Sequence, residues 1–476
     1  MMKKSFSQTK IVATLGPATS SKEVLTSLIH EGVDVFRLNF SHSSQQEHLK
    51  MINLIKELNK ELKNHVAILA DLQGPKLRVG EIENNRIDLV EGDIITFVTQ
   101  KCIGTKAAIY MSYNEFPQDV NRGEFILIDD GKIKLEVIET NKKDTVKARV
   151  IYGGPLSSKK GVNLPNTKVS LPCLTGEDIS NASFALDNGV DWIALSFVRK
   201  ASDILELKAL IKQKNGHAGV IAKIEKPEAL DEIDEIIEVT DGVMVARGDL
   251  GVEVSFDRVP MIQKLIVEKC IAQAKPVIIA TQMLESMITN FTPTRAEAND
   301  VANAVLDGAD ALMLSGETSV GKYPVQTIQS MQKIINFTEI HGNIFNRKYL
   351  PVPDSPNFLE DSICYNAVVL AKQIRAKAII AITNSGYTAY RLASYRPEAK
   401  IFAVTNNEKL LQKLSMVWGV RAFYVQLYET INEIYFESIK ILKMNELIEE
   451  GEIVVHVASI PVKLQGRANM IKLTQV

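Results

Sequence analysis

The chain is poor in cysteine and tryptophan, and it carries no large excess of charge of either sign. It has two tryptophans and four cysteines in 476 residues. Because the cysteines are scattered without paired spacing, the pattern excludes a disulfide framework and a cysteine-based zinc site. It indicates a reducing, cytoplasmic setting. The formal net charge is −2, so the basic surface that nucleic-acid binding needs is missing, and we expect no nucleic-acid partner.

Long apolar runs are also missing. The N-terminus, MMKKSFSQTKIVATLG, lacks the apolar stretch of a signal peptide, and no later run is long enough to span a bilayer. We therefore expect no membrane association. The hydrophobic fraction of 46% and the charged fraction of 24% are ordinary for a globular protein, and the length predicts two to four domains.

Eight short β-branched apolar runs alternate with amphipathic helical segments in two parts of the chain. This alternation predicts parallel strands joined by helices, and eight such units predict an α/β fold of the (β/α)8 TIM barrel type. The predicted strands are residues 9–15, 33–40, 65–71, 190–197, 219–225, 242–247, 276–282 and 309–315.

The alternation of strands and helices stops after residue 73. Short runs of alternating apolar and polar residues follow, separated by turn signals such as Asp130-Gly131. This break predicts a small antiparallel β domain inserted into the barrel. A proline-rich segment, residues 349–356, then precedes a C-terminal three-layer α/β domain. The predicted division is 1–73 for the first part of the barrel, 74–170 for an inserted β-barrel lid domain, 171–345 for the second part of the barrel and 346–476 for the C-terminal domain.

One stretch, residues 242–253 (GVMVARGDLGVE), ends a predicted buried strand in a glycine-rich turn that carries a carboxylate. In an α/β enzyme this position holds metal ligands or catalytic groups, which would make Asp249 a ligand. Asp249 could equally cap the helix that follows. The stretch alone favours neither role.

Polar side chains collect at the carboxyl ends of the predicted barrel strands, where barrel enzymes place their chemistry. Burial of so many polar groups is costly unless they bind something. The set comprises Arg37, Asn39, Ser41, Asp71, Lys76, Arg78, Lys223, Glu225, Arg247, Asp249, Thr281, Gln282, Ser315 and Glu317.

Four members of this set favour a metal ion beside an anion site. Lys223 and Glu225 are two residues apart on one strand and share a face, and Glu225 can converge with Asp249 on one cation. Two carboxylates with open positions suit Mg²⁺. Arg37 and Lys223 add positive charge, which suits a phosphorylated anion. Singly, Glu225 or Arg37 could belong to a structural ion pair; that all four are structural is far less expected.

The motifs that carry these residues resemble those of pyruvate kinase. They run in order through the barrel and touch the insert, whereas the last third of the chain is similar in layout more than in motif. The motifs are residues 9–17 (TKIVATLGP), 37–42 (RLNFSH), 159–165 (KKGVNLP), 223–225 (KIE), 244–251 (MVARGDLG), 280–288 (ATQMLESMI), 293–297 (PTRAE), 300–309 (DVANAVLDGA) and 313–318 (MLSGET).

The resemblance implies Mg²⁺-dependent phosphoryl transfer from phosphoenolpyruvate to ADP, giving pyruvate and ATP in the last step of glycolysis. It implies a cytoplasmic homotetramer with an effector domain, and Mn²⁺ as a substitute for Mg²⁺. By the same resemblance, Arg37 contacts the transferring phosphate and Lys223 stabilises charge in the transition state. Glu225 and Asp249 hold the Mg²⁺.

The remaining roles are also implied by the resemblance. Gly248, Asp249 and Thr281 receive the pyruvate or enolate part of the substrate. Thr281 and Ser315 support protonation of the enolpyruvate. The nucleotide and its metals are served by Asn39, Ser41, His42, Arg78 and Lys160.

One departure from the family pattern concerns K⁺. Many members bind K⁺ through Asn, Ser, Asp and a following Thr, which correspond here to Asn39, Ser41, Asp71 and Leu72. The hydroxyl ligand is lost at Leu72, and the Gly-Pro-Glu triplet of those members ends here in Lys76. Because K⁺-independent members have lysine at this place, we expect Lys76 to replace the K⁺ charge.

In the C-terminal domain, residues 378–388 (AIIAITNSGYT) run from a predicted strand through a turn into a helix. The turn is either a capped junction or a phosphate cradle, and its position is similar to the family's effector loop. Residues 458–466 (ASIPVKLQG) lack the Trp and Arg of fructose-bisphosphate-regulated members. We therefore expect a sugar monophosphate or AMP as the effector, and no strong effect of fructose 1,6-bisphosphate. The cradle residues are Thr383, Asn384, Ser385, Gly386 and Thr388.

Residues 316–323 (GETSVGKY) approach a phosphate-binding P-loop but end in tyrosine instead of Ser or Thr, which favours a structural turn. Two alternative functions fit the chain less well than phosphoryl transfer does. Lyase or mutase chemistry on phosphoenolpyruvate would not need a lid domain or Lys160. A metabolite-sensing scaffold without activity would not need intact Lys223 and Glu225.

Overall fold

Residues 10–71 form three parallel strands of a barrel with a helix after each of the first two. The computed structural model of the chain describes residues 7–346, 349–426, 430–461 and 467–476. The strands are almost entirely buried, as strands covered on both faces must be. Ser44 and Glu47 form a capping box that starts the second helix. The elements are β1 (Lys10–Thr14), α1 (Lys22–Glu31), β2 (Val35–Asn39), α2 (Gln45–Glu61) and β3 (Ala67–Asp71).

A separate, mostly antiparallel β structure follows the third strand. It comprises β4 (Ile87–Leu89), β5 (Ile94–Val98), β6 (Ile109–Tyr110), α3 (Phe116–Asp119), β7 (Phe125–Ile128), β8 (Ile133–Thr140), β9 (Thr145–Tyr152), β10 (Gly154–Leu156) and β11 (Val162–Asn163). Six of its strands pair in the order β11-β7-β8-β9-β5-β6, and β10 pairs with β4. Buried residues alternate with more exposed ones along β8 and β9, so one face of the sheet closes on its own apolar core.

The barrel then resumes and closes. Its elements are α4 (Gly176–Asp187), β12 (Trp192–Leu195), α5 (Ala201–Gln213), β13 (Gly219–Ile224), α6 (Glu228–Asp231), α7 (Ile233–Val239), β14 (Gly242–Ala246), α8 (Arg247–Glu253), α9 (Val259–Ala272), β15 (Val277–Ala280), α10 (Arg295–Asp307), β16 (Ala311–Leu314), α11 (Gly316–Ser319) and α12 (Pro324–His341). The closed order is β1-β16-β15-β14-β13-β12-β3-β2. The predicted eight-stranded barrel with an inserted β structure is confirmed.

The barrel interior is filled by small and branched side chains, which leaves its two ends chemically different. Val12, Leu69, Ile221 and Met244 belong to one interior cluster that Trp192 joins from the start of β12. Polar residues occupy the other end, where the strands finish. That end faces the inserted β structure, because Asn163 of β11 donates a hydrogen bond to Glu253 at the end of α8.

The C-terminal segment forms a five-stranded sheet in the order β19-β18-β17-β20-β21. Its elements are α13 (Phe358–Gln373), β17 (Ala378–Ile382), α14 (Tyr387–Ser394), β18 (Lys400–Thr405), α15 (Glu408–Lys413), β19 (Val420–Tyr424), α16 (Ile431–Met444), β20 (Ile453–Ala458) and β21 (Met470–Gln475). Two apolar clusters, one on each side of the sheet, confirm the three-layer α/β prediction.

Two features of this segment differ from the sequence-based expectation. The sequence predicts a single helix over residues 408–418, but α15 ends at Lys413 and a 3-10 turn, Leu414–Met416, follows. The turn places Met416 in the interior cluster of the barrel, so docking between the two structures overrides helix propensity. Strand β21 is not predicted by the sequence, because its residues are mostly part-exposed and show no buried apolar alternation. No described helix is both long and apolar enough to cross a membrane.

Candidate active site

A continuous chain of buried charges crosses the end of the barrel where the strands finish. Arg37 Nε donates to Asp71 Oδ2 at 2.7 Å, and Lys223 Nζ lies 3.1 Å from Asp71 Oδ1. The same ammonium lies 2.9 Å from Glu225 Oε1. All four residues are 9% exposed or less. The structure therefore brings together four of the predicted site residues, on β2, on β3, and on and just after β13.

Two hydroxyls that were not predicted from the sequence complete this chain. Thr14 Oγ1, at the end of β1, accepts a hydrogen bond from Arg37 Nη1 at 3.0 Å. Ser196 Oγ, just after β12, lies 2.7 Å from Lys223 Nζ. Both residues stand at strand ends, the same signal that identified the charged members, but a single hydroxyl there is too common to be singled out.

Burial disfavours the ionised forms of Lys223 and Asp71, but the attraction between opposite charges outweighs that effect. Burial alone would lower the pKa of Lys223, but the Asp71 and Glu225 carboxylates outweigh it and raise that pKa above its ordinary value. Burial likewise works to raise the pKa of Asp71, and Lys223 and Arg37 overcome it, so that the pKa of Asp71 is lowered. The chain thus holds two permanent cations and an ionised aspartate in the barrel mouth.

Glu225 and Asp249 are close enough for their charges to interact. Burial raises the pKa of Glu225, and the Asp249 carboxylate raises it further against the opposing effect of Lys223. Glu225 Oε2 accepts the Phe197 N–H at 2.8 Å. Asp249 lies in the first turn of α8. The described residues contain no cluster of three or more His, Cys, Asp or Glu side chains that could hold a metal by themselves. A two-carboxylate site completed by substrate and water oxygens fits this donor set.

Thr281 is held in a strained conformation beside Gly248. Its φ is 69°, in the left-handed region that a β-branched residue avoids. Its Oγ1 accepts the Gly248 N–H at 2.7 Å and donates to Ala280 O at 2.6 Å. A Cβ on Gly248 would lie only 3.3 Å from Thr281 Oγ1, so a larger residue there would crowd this hydroxyl. Such strain, maintained by several contacts, is typical of functional sites.

Arg247, to which the sequence assigns no role, links the end of β15 to α10. Its guanidinium forms a bidentate pair with Asp300 of α10, with both distances 2.8 Å. It also donates to Thr281 O at 2.7 Å. Arg247 therefore orders the ends of β14 and β15 through an ion pair. Asp300 was not predicted as a site residue, because nothing in the sequence indicates that α10 reaches the strand ends.

Ser315 stands at the end of β16, where the prediction placed it. Its N–H is donated to Glu317 Oε2 at 2.7 Å. Glu317 is itself buried, and burial raises its pKa. The P-loop-like residues 316–323 have structural contacts: Thr318 Oγ1 donates to Thr14 O at 2.8 Å, and the Gly321 N–H to Gly316 O at 2.9 Å.

The residues expected to serve the nucleotide fall into two groups. Asn39 ends β2, and Ser41 and His42 follow it; the Ser41 N–H is donated to Asn39 Oδ1 at 3.1 Å. Arg78 and Lys160 lie in the inserted β structure, where Arg78 Nη1 donates to the carbonyl of residue 159 at 3.1 Å. No hydrogen bond between the two groups is present among the described residues.

The inserted structure and the barrel enclose a cavity beside Asp249. Lys76, Glu253 and Asp130 contribute to its lining. Glu253 Oε1 accepts from Asn163 Nδ2 at 2.8 Å and from Lys226 Nζ at 2.7 Å. Lys76 is exposed at the base of the insert. Leu72, in contrast, is 1% exposed, so it packs as an apolar core residue.

The C-terminal turn identified in the sequence also borders a cavity, of about 260 Å³. Thr383, Asn384, Ser385 and Thr388 line it, together with Glu360. Gly386 is the remaining predicted residue of this turn, and its φ is 92°. Its N–H donates to Thr383 Oγ1 at 2.9 Å. Thr388 Oγ1 donates to the buried Glu360 at 3.0 Å. Of the segment at residues 458–466, residues 462–466 lie outside the described part of the chain.

Fold and site together define a (β/α)8-barrel enzyme whose mouth combines fixed cations with a carboxylate pair. Comparison with known proteins identifies the family. Residues 6–328 match the model of the pyruvate kinase barrel domain, and residues 361–474 match that of the pyruvate kinase alpha/beta domain.

Individual relatives agree with the family models. The chain is 42% identical over 468 residues to a pyruvate kinase of Sporosarcina psychrophila, covering 98% of this chain and 80% of that protein. It is 42% identical to a pyruvate kinase of Agrobacterium vitis, over 98% of both chains. A crystal structure of a pyruvate kinase from Cryptosporidium parvum superimposes with a TM-score of 0.92 at 33% identity, covering 98% of this chain and 96% of that one. The chain belongs to the pyruvate kinase family, and it transfers a phosphoryl group from phosphoenolpyruvate to ADP, giving pyruvate and ATP.

Proposed function

We propose that the buried charge chain is the phosphoryl-transfer machinery of this enzyme. The observation that carries the proposal is that Lys223 Nζ lies within 3.1 Å of both Asp71 and Glu225, with Arg37 bound to the same aspartate. Arg37 contacts the transferring phosphoryl group, and Lys223 stabilises the charge on its equatorial oxygens. Because both cations are positioned before substrate binds, little reorganisation is needed in the transition state.

Glu225 and Asp249 hold Mg²⁺, which Mn²⁺ can replace. The support is the raised pKa of Glu225, because burial and the Asp249 charge favour a nearby cation. When bound, the metal neutralises phosphate charge and orients substrate oxygens. Electron paramagnetic resonance of Mn²⁺ tests this. Glu225→Gln and Asp249→Asn should each weaken Mn²⁺ binding about tenfold or more, whereas Asp234→Asn, at an exposed pair with Lys269, should not. Unchanged binding in both site variants would refute the assignment.

Thr281 and Gly248 seat the enolate part of the substrate, together with Asp249, and Thr281 and Ser315 support its protonation. The support is the strained, multiply bonded conformation of Thr281. Its hydroxyl proton is committed to Ala280 O. Delivery of a proton therefore requires that this bond is exchanged for one to the substrate.

The inserted structure acts as a lid that excludes water, which would otherwise hydrolyse the phosphoryl group. Asn163 and Glu253 supply a direct contact between insert and barrel. Asn39, Ser41, His42, Arg78 and Lys160 then receive the nucleotide between the two structures. The division into residues 1–73, 74–170, 171–345 and 346–476 belongs to the same proposal, with the second segment moving as the lid.

K⁺ is not required, because the Lys76 ammonium replaces its charge near Asn39, Ser41 and Asp71. The buried, apolar Leu72 supports this, since it supplies no ligand oxygen at the place of the family's threonine. Turnover in buffer free of K⁺ should match turnover with K⁺. The variant Lys76→Glu, which restores the residue of K⁺-dependent members, should become K⁺-activated. Strong K⁺ activation of the unaltered enzyme would overturn this part of the proposal.

The C-terminal cavity binds a sugar monophosphate or AMP as an effector. Its support is the ring of hydroxyl and amide groups around a cavity of about 260 Å³. Isothermal titration against a sugar monophosphate, AMP and fructose 1,6-bisphosphate tests the class. Ser385→Ala should weaken the monophosphate, and Ser362→Ala, on the exposed side of α13, should not. Tight binding of the bisphosphate would refute the assignment.

The enzyme functions in the cytoplasm as a homotetramer. All four cysteines are free thiols, which suits a reducing compartment. Large apolar side chains such as Phe337 and Ile340 of α12 are 67% and 75% exposed, which suits burial against another copy of the chain. Light scattering coupled to size-exclusion chromatography measures the mass directly, and a monomer would contradict the assembly.

A further inference from the structure

A second polar cleft lies at the end of the barrel opposite to Lys223. It has a volume of about 450 Å³ and separates the starts of the barrel strands from the C-terminal sheet. Trp192 and His217 line it from the barrel side, and Lys409 and Lys413 of α15 line it from the C-terminal side. None of these residues belongs to the site described above.

Positive charge predominates in the walls of this cleft. Lys275, Lys409 and Lys413 line it, and the acid in the wall is Asp241. Asp241 is already paired with Lys208, at 2.7 Å. Lys275 Nζ is committed to backbone carbonyls, including Thr240 O at 2.5 Å. Among the described residues, neither α15 lysine forms a direct ion pair, although the Asp241 and Asp191 carboxylates attract the Lys413 ammonium at longer range.

One unpartnered hydrogen-bond donor lies near this charge. Trp192 is 1% exposed, and its indole Nε1 has no hydrogen-bond partner among the described residues. A buried N–H without an acceptor is rare in native proteins and calls for a water or a ligand. The Lys413 ammonium lies 5.9 Å from the centre of the same indole ring.

The lowered pKa of His217 indicates that both lysine cations lie near this histidine in the cleft. Burial lowers the pKa of its imidazole, and the charges of Lys409 and Lys413 lower it further. The same burial lowers the pKa of Lys413. An anion in the cleft would relieve both effects, because it would stabilise the charged forms of these groups.

We propose that this cleft binds a small phosphorylated metabolite, with its phosphate between Lys409 and Lys413. A phosphate carries more charge and more acceptor oxygens than a carboxylate, so it matches two ammonium groups better. The cleft volume is in the range of small-molecule sites. Ser385 lines both this cleft and the C-terminal cavity, so the two are adjacent.

Trp192 provides a local probe for the test. The chain has two tryptophans, so Trp418→Phe leaves Trp192 as the sole emitter, at the opposite end of the barrel from the phosphoryl-transfer site. Titration of this variant with inorganic phosphate should give a saturable change in emission. Adding Lys413→Gln or Lys409→Gln should weaken that binding about tenfold, whereas Lys372→Gln, an exposed lysine on α13, should leave it unchanged.

A second measurement does not depend on the tryptophan variant. Equilibrium dialysis of the full chain counts bound inorganic phosphate, and the double variant Lys409→Gln, Lys413→Gln should bind about one phosphate fewer per chain at a concentration that just saturates the cleft of the unaltered enzyme. An emission that does not respond to phosphate, an equal affinity in the three lysine variants, or an unchanged phosphate count would each overturn the proposal.

Discussion

The barrel mouth and the C-terminal cavity are both lined by polar groups, but the two sites differ in the charge of those groups. In the mouth, Arg37 and Lys223 are buried cations joined through Asp71. In the C-terminal cavity, hydroxyl and amide groups prevail, and its two charged lining residues, Arg467 and Glu360, have opposite signs, with Glu360 accepting from Thr388. One site is arranged around fixed positive charge, and the other mainly around neutral donors.

This difference separates the demands of chemistry from those of recognition. A phosphoryl-transfer transition state develops charge on oxygens, and fixed cations stabilise it without reorganisation. An effector that does not react needs only to be bound and released, for which neutral hydrogen bonds suffice. Removing a cation should therefore damage turnover severely, whereas changes in the C-terminal structure should affect stability or regulation and leave turnover intact.

Among the variants that test this difference between the two sites, Arg37→Lys is expected to have the largest effect. The variant keeps the charge, but one ammonium cannot bond Asp71 and Thr14 and still reach the phosphoryl group. We expect kcat/KM for phosphoenolpyruvate to fall about a thousandfold, measured in an assay coupled to lactate dehydrogenase. Arg86→Lys, at an exposed pair with Asp88, is the matched control. Wild-type turnover in Arg37→Lys would mean that charge alone is sufficient.

A smaller effect is expected from Asp300→Asn, which loosens Arg247 without touching the buried charge chain. Because Arg247 also holds Thr281 O, the strained turn should relax and kcat should fall about tenfold, with Mn²⁺ affinity unchanged. Asp300→Glu should recover part of the loss. Asp187→Asn, which removes an exposed pair with Lys214, should have no effect. Equal kcat in Asp300→Asn and the unaltered enzyme would show that Arg247 does not order the strained turn.

The smallest effect is expected from a substitution in the C-terminal sheet, at His456, and it concerns stability and not turnover. His456 is fully buried beside Tyr435 with both ring nitrogens unpartnered among the described residues. Burial, and then Lys472, lower its pKa to about 4. The folded state therefore stays neutral while the unfolded chain takes up a proton below about pH 6.5, so stability is full above that pH and declines as the pH falls towards 4.

His456→Phe should remove this decline, which amounts at most to about 3 kcal/mol, while turnover at neutral pH stays unchanged. Urea unfolding of the C-terminal structure at pH 7 and at pH 5 measures it, with His30→Phe, at an exposed position, as control. A pH dependence that persists in His456→Phe would assign the acid sensitivity to other groups.

Much of the fold could be predicted from the sequence, because its signals are local. Eight apolar runs that alternate with helical segments indicated the barrel, and all eight strands form. The exceptions arise where tertiary contacts decide. The end of α15 at Lys413 depends on docking of Met416 into the barrel, and β21 forms by antiparallel pairing with β20 despite a weak apolar pattern.

The candidate site was predictable to the extent that its members are charged and end a strand. Lys223 and Glu225, two residues apart, indicated a shared face directly. Asp300 was missed because it lies on a helix, and its contact with Arg247 depends on how α10 packs. Ser196 was missed because a single hydroxyl carries no distinctive signal, although its Oγ lies 2.7 Å from the central ammonium.

The most direct test of the phosphoryl-transfer assignment is the turnover of Lys223→Met. The side chain has a similar length without the charge, so we expect ³¹P NMR to show ATP formation from phosphoenolpyruvate and ADP slowed at least about a thousandfold. Circular dichroism and Mn²⁺ binding should confirm that the barrel and the carboxylate pair persist. ATP formation within about tenfold of the unaltered enzyme would contradict the assignment of Lys223 as the charge that stabilises phosphoryl transfer.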